Sequence, residues 1–233
     1  MNFNYTVEEV KILKNFSTIS SSMVIGNKEF SIVNAPKSSL IGVYPLEKEY
    51  QYDSFGIFDL NEFLNLINQF KNYSLDLKER SISIIDQDTG NLIDYNLTPI
   101  EMIKTAPIDK LKVNFDNIKK HVEFKFSEEN LNTLKKIIAV LKPERLFFQS
   151  ENGYIKITAA DKVLESSTNP LIIKIREEDI SFNELEDTTL YFTMDEMKLL
   201  DGEYQVSMSK NGISLWKNKI YKVDYFIGVF KEE

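Results

Sequence analysis

FNYTVEEVKILKNF, residues 3–16, and FKFSEENLNTLKKI, residues 124–137, are two versions of one pattern in a single chain. Phe3, Tyr5, Thr6, Glu8, Val10, Leu13, Lys14 and Phe16 align with Phe124, Phe126, Ser127, Glu129, Leu131, Leu134, Lys135 and Ile137. Alternating aromatic residues predict a short strand, and the hydroxyl that follows is placed to accept from the free N–H groups of a helix's first turn. Thr6 with Glu9 has the spacing of a capping box. Val10, Leu13 and Phe16, and again Leu131, Leu134, Ile138 and Leu141, form apolar stripes that predict helices packed on one face and wet on the other.

A second pair lies later in each half: FDLNEFLNLI from Phe58 and FTMDEMKLL from Phe192. Asp59 with Glu62, and Thr193 with Glu196, again have the cap-and-partner spacing. Each half is therefore expected to carry two helices. Elsewhere the period falls to two, and Gly26-Asn27, Gly90-Asn91, Asn152-Gly153 and Asn211-Gly212 are turn pairs that close hairpins. Runs such as EFSIV, SLIGVY, YQYDSFGIF, SISII, RLFF, YIKIT, LIIKI and GISLW predict antiparallel strands. Residues 100–111, flanked and interrupted by Pro99 and Pro107, read as a connector. The chain is expected to be two copies of one α+β domain, residues 1–108 and 109–233, with the first part of the connector in the former.

The composition narrows the chemistry. With no Cys and a single His among 233 residues, a structural zinc site lacks its ligands. The glycines form neither GxGxxG nor GxxxxGK, so no phosphate-cradling loop is expected. Asp86-Gln87-Asp88-Thr89-Gly90 opens like a calcium loop, but Leu97 stands where the bidentate Glu belongs, and a hairpin turn explains the run. His121 has no serine partner motif and reads as an ordinary solvated or core histidine. The acids Glu177, Glu178 and Asp179, and Glu184, Glu186 and Asp187, read as charged loops; a metal-dependent hydrolase built on them is a distant reading. No catalytic residue, metal or cofactor is expected. No apolar run is long enough for a bilayer helix and the N-terminus has no signal-peptide pattern, so a cytosolic, non-membrane protein is expected.

The net charge of -8 argues at first sight against nucleic acid, but total charge does not give placement. Lys11 and Lys14 fall on the wet face of the first helix, Lys135, Lys136 and Lys142 on that of its repeat, Lys71 follows the second helix, and Lys198 lies on the fourth.

At this point the chain resembles a known family. LKNFSTISSSMVIGNKEFSIV from Leu13, with DSFGIFDLNEFLNLI from Asp53, is similar to the N-terminal half of the DNA polymerase sliding clamp of T-even-type bacteriophages. The resemblance implies a DNA-clamp fold that assembles as a ring, a head-to-tail homotrimer around double-stranded DNA held without sequence specificity. It further implies a role in processivity, with a replicative DNA polymerase and an ATP-dependent clamp loader as partners and the host cytoplasm as location. Lys11, Lys14, Lys71, Lys135, Lys136, Lys142 and Lys198 would then face DNA. A partner-peptide pocket would draw on Ala35, Leu40, Met102, Ile103, Ile108, Phe226, Ile227, Val229 and Phe230, which suit an ordinary core equally well. The alternative from another class is an acidic, non-ring binding protein that acts as a nucleic-acid decoy.

Overall fold

The computed structural model describes residues 2–34, 37–151, 154–161, 171–185 and 188–232. The chain divides into two compact units, Met1–Ile108 and Asp109–Glu233. In unit 1, β1 (Asn2–Phe3) precedes α1 (Val7–Ile19), and β2 (Met23–Ile25), β3 (Glu29–Val33), β4 (Leu40–Pro45) and β5 (Phe55–Ile57) lead to α2 (Leu60–Ile67). The strands β6 (Tyr73–Leu77), β7 (Ser81–Asp86) and β8 (Leu92–Asn96) complete it. They pair antiparallel in two runs, β1-β6-β7-β8 and β4-β3-β2-β5.

Unit 2 opens with α3 (Ile108–Asn117), then β9 (Val122–Phe126), α4 (Glu128–Leu141), β10 (Arg145–Glu151), β11 (Tyr154–Ala160) and β12 (Leu171–Ile175). There follow β13 (Ile180–Asn183), β14 (Leu190–Thr193), β15 (Tyr204–Ser209), β16 (Ile213–Asn218), β17 (Asp224–Gly228) and β18 (Phe230–Lys231). The runs here are β13-β9-β15-β16-β17 and β12-β11-β10-β14-β18. With the edge strands β13 and β18 set aside, each run repeats the strand order of its counterpart in unit 1. The duplication read from two short segments extends to the whole topology.

The cores differ in chemistry. Unit 1 gathers Phe3, Tyr5, Phe30, Tyr50 and Tyr52, with ring centroids 4.6 to 5.7 Å apart. The Tyr50 hydroxyl donates to the carboxylate of Glu9 at 2.8 Å. Phe16 of α1 lies against Gly42 of β4, where a Cβ would come within 2.8 Å of the ring. That close approach requires glycine. Unit 2 is built round the fully buried Trp216, ringed by Phe124, Phe126, Phe148, Phe192 and Tyr204 at 5.5 to 6.4 Å.

Several expectations are corrected. The helix expected from Thr193 is a 3-10 turn at Met194–Glu196 with no side-chain cap, followed by an irregular stretch to Gly202. Residues 194–203 are a shorter path between strands than residues 58–72, and Gly202, at φ +125°, turns the chain near its end. The second helix of unit 2 is instead α3, which begins inside the expected connector. Its Phe115 packs on Phe226, and the Lys120 ammonium caps it by donating to the carbonyls of Phe115, Asp116 and Ile118. Of YQYDSFGIF only Phe55–Ile57 is strand; Tyr50 and Tyr52 turn into the core from irregular backbone. On α1, Val10 is only half-buried and Glu9 is buried in its place; on α4, Leu131 and Leu134 are buried while Leu141 is exposed. The turn pair Asn152-Gly153 lies outside the described residues.

Candidate nucleic-acid interface

Local chemistry sets the orientation of α1. The Thr6 hydroxyl accepts from the Glu9 N–H at 3.1 Å, and the Glu9 carboxylate accepts from the Thr6 N–H at 2.6 Å, which closes the capping box. Ile12, Leu13, Phe16 and Ile19 are buried, so the intervening Lys11 and Lys14 face outward. Asp59 caps α2 by accepting from the Glu62 N–H at 2.9 Å. The Tyr95 hydroxyl braces that cap, accepting from the Asp59 N–H at 3.2 Å and donating to its carbonyl at 3.0 Å. Where α1 passes the end of α2, a groove of about 360 Å³ is lined by Val10, Lys11, Lys14, Phe70, Lys71 and Tyr73, among others. Three lysines thus stand around one groove, and Asn68, which also lines it, takes the Lys14 ammonium at 3.3 Å.

The repeat places α4 alike. Ser127 accepts from the Asn130 N–H at 3.2 Å, Leu131 and Leu134 are buried, and Lys136 is exposed. Lys142 is the helix's C-cap in the left-handed conformation, with φ 48° and an exposed side chain. The Lys135 ammonium donates to the Leu199 carbonyl and the Asp201 carboxylate, each at 2.7 Å. Lys198 is half-buried in the irregular stretch after the 3-10 turn, so it is not on a helix as expected. Neither Asn68 nor Asp201 was singled out from sequence, because each reaches its lysine across more than fifty residues and no local pattern marks it.

The residues expected for a peptide pocket are placed unit by unit. In unit 1, Leu40 is buried on β4, Met102 is exposed as the last residue of a 3-10 turn at Ile100–Met102, and Ile103 and Ile108 are buried. In unit 2, Phe226 and Ile227 are buried on β17, Val229 is buried, and Phe230 is exposed and stacked on Tyr191 at 5.5 Å. Ala35 lies outside the described residues. A further hollow of unit 1, about 560 Å³, is lined by Phe55, Gly56, Arg80, Thr98, Ile100 and Glu101 with others, and nothing in the sequence marked it.

The remaining candidates resolve as structural groups. His121 accepts from the Lys210 N–H at 3.2 Å, and burial first, then the charge of Lys119, holds its pKa below the usual histidine value. The Asp86 carboxylate accepts from the Asp88 N–H at 3.1 Å and the Thr89 hydroxyl at 2.5 Å, which makes the expected hairpin turn. Glu178 pairs with Arg176 at 3.1 Å and Glu184 with Lys119 at 2.6 Å; Glu186 and Asp187 lie outside the described residues. Among the described residues, no group of three or more His, Asp or Glu is placed to hold a metal ion. Among them too, no helix is long and apolar enough to cross a membrane.

No family model matches the chain. Over 222 residues, 94% of this chain and 95% of the relative, it is 28% identical to a protein of Vibrio phage KVP40 named sliding clamp. The proliferating cellular nuclear antigen of Entamoeba histolytica matches its fold with a TM-score of 0.70 at 10% identity, over 100% of this chain and 98% of that one. A. fulgidus PCNA, solved with the C-terminal region of FEN-1 bound, matches with a TM-score of 0.66 at 10% identity, over 100% and 98% of the two chains. The chain is thus similar in sequence to a phage sliding clamp along nearly its whole length, and its doubled unit has the fold of the PCNA structures.

Proposed function

We propose that this chain is a DNA sliding clamp, a processivity factor that closes as a ring around duplex DNA and tethers the replicative polymerase. The observation that carries the reading is the duplication: two units with one strand order, each presenting lysines on the helix that follows its first strand. Repeated units suit a head-to-tail contact that closes on itself, and three copies would supply six of them. Lysines on flexible stems suit loose contact to successive phosphates, which positions the protein without reading sequence. The net charge of -8 is compatible with this, since basic faces would line the hole while acidic outer surfaces discourage stray binding.

In this reading Lys11, Lys14, Lys71, Lys135, Lys136, Lys142 and Lys198 face DNA, and Leu40, Met102, Ile103, Ile108, Phe226, Ile227, Val229 and Phe230, with Ala35, serve a partner peptide. The exposed Met102 and Phe230 are the members accessible to such a peptide without repacking. The FEN-1 segment bound to the A. fulgidus relative supports peptide capture as a mode open to this fold. The protein performs no covalent chemistry of its own, and an ATP-driven loader of the phage replication machinery opens the ring in the host cytoplasm.

The test is primer extension with cognate polymerase and loader. The reading requires longer runs when the protein is present, and unchanged run length would sink it. Light scattering at high protein concentration should give three times the 27.1 kDa chain mass, and a persistent monomer would turn attention to the acidic decoy. Changing Lys14 and Lys135 together to Glu should shorten DNA residence and leave the fold and the trimer intact.

A further inference from the structure

Lys14 and Lys135 hold the same place in the repeated strand-helix pattern, yet their ammonium groups meet different partners. In unit 1 the acceptor is the neutral amide oxygen of Asn68 at 3.3 Å. In unit 2 the acceptors are the Leu199 carbonyl and the Asp201 carboxylate, both at 2.7 Å. A carboxylate at that distance cancels most of the lysine's field a few ångströms further out, where a phosphate would sit; an amide oxygen does not.

Asp201 is held in place. Asn218 donates from Nδ2 to the Asp201 carbonyl at 3.1 Å, and Gly202 follows at φ +125°, a conformation that other residues rarely adopt. The carboxylate thus rides on a fixed turn, in the segment that replaces a helix of unit 1. The pair is solvent-accessible, with Lys135 at 33% and Asp201 at 58% side-chain exposure, so it adds little to stability. Its effect is on the electrostatic field.

We propose that Asp201 sets DNA affinity: it occupies Lys135, so the helix face of unit 1 carries the stronger phosphate grip and unit 2 passes along the duplex with a weaker one. This rests on the clamp reading above. A ring gripped everywhere would release more counterions on binding and would move more slowly; a carboxylate over one lysine per subunit weakens the hold without opening the ring.

The experiment measures residence of the loaded ring on a closed circular duplex of mixed sequence, as a function of salt. Asp201→Asn keeps the turn's shape and should lengthen residence, steepening the log–log salt slope by roughly 0.9 for each lysine released. Asp201→Asn should bring no gain in the Lys135→Ala background, where the lysine it would release is absent. Wild-type residence in Asp201→Asn, or a gain that persists without Lys135, would overturn the proposal. Lys14→Ala separates the two levels: shortened residence supports the DNA-facing assignment whatever Asp201 does, and unchanged residence would overturn that assignment and this proposal with it.

Discussion

Unit 1 fills the path between β5 and β6 with the two-turn helix α2, while unit 2 covers the matching path between β14 and β15 with a 3-10 turn and irregular chain. The strand orders are the same and the caps are written alike, Asp59 with Glu62 and Thr193 with Glu196, so the difference comes from length and from the turn at Gly202. A cap motif starts a helix only where enough chain remains to extend it, because nucleation is costly and each further residue adds only one bond. Divergence after duplication has kept the sheets and altered what crosses them. The cores have diverged too, one toward hydroxyl-bearing rings around a buried carboxylate, the other toward a single indole.

The largest test of that contrast is Trp216→Ala, which removes the centre of the unit 2 cluster and should cost about 3–5 kcal/mol in denaturant unfolding followed by circular dichroism. A loss under 1 kcal/mol would show that the surrounding rings collapse into the space. In unit 1 the corresponding vulnerability is close packing: Gly42→Ala places a Cβ 2.8 Å from the Phe16 ring and 3.1 Å from Ile32, and should cost ~1–3 kcal/mol by the same measurement. Tyr50→Phe withdraws the hydroxyl from the buried Glu9 carboxylate and should cost about 1–3 kcal/mol.

The buried tyrosines also make stability depend on pH, and unit 2 shares in this through Tyr204 and Tyr225, whose pKa values burial raises as well. Burial, the largest cause in each case, raises the pKa of Tyr5, Tyr50 and Tyr52, and it pushes Tyr73 up to about 12. The folded state therefore holds these protons more tightly than the unfolded chain, which releases them near its ordinary value of about 10. Their contribution to stability is full below that value and is lost as pH rises through the folded pKa. Melting temperature should fall steeply above about pH 10, and less steeply in Tyr50→Phe. Parallel curves for the two proteins would detach the cluster from the alkaline loss. The smallest effect is at the caps: Thr6→Ala and Ser127→Ala should each cost about 1 kcal/mol, with the former greater because Thr6 belongs to a closed box and Ser127 makes a single bond.

What could be read in advance was local. Caps at Thr6, Asp59 and Ser127, the hairpin at Asp86, and most strands follow from spacing within a few residues. The failures lie where distance along the chain matters. Ile108, Leu111 and Phe115 recur at helical spacing behind Pro107, a residue suited to a helix start, but treating Pro as a breaker placed a connector through the first turn of α3. For the lysines, spacing shows which side of α1 or α4 each occupies. It does not show what each ammonium touches, since Asn68 and Asp201 are brought in by the folding of other segments.

Trp216, the chain's one tryptophan, lies fully buried at the heart of unit 2, with its indole N–H donated to the Ser214 hydroxyl at 3.2 Å. Intrinsic tryptophan emission therefore comes from a single unit, while most of the clustered tyrosines belong to the other. The molecule carries its own optical labels, and a shift in emission without a change in the tyrosine signal would locate a perturbation in the second half of the chain with no dye attached.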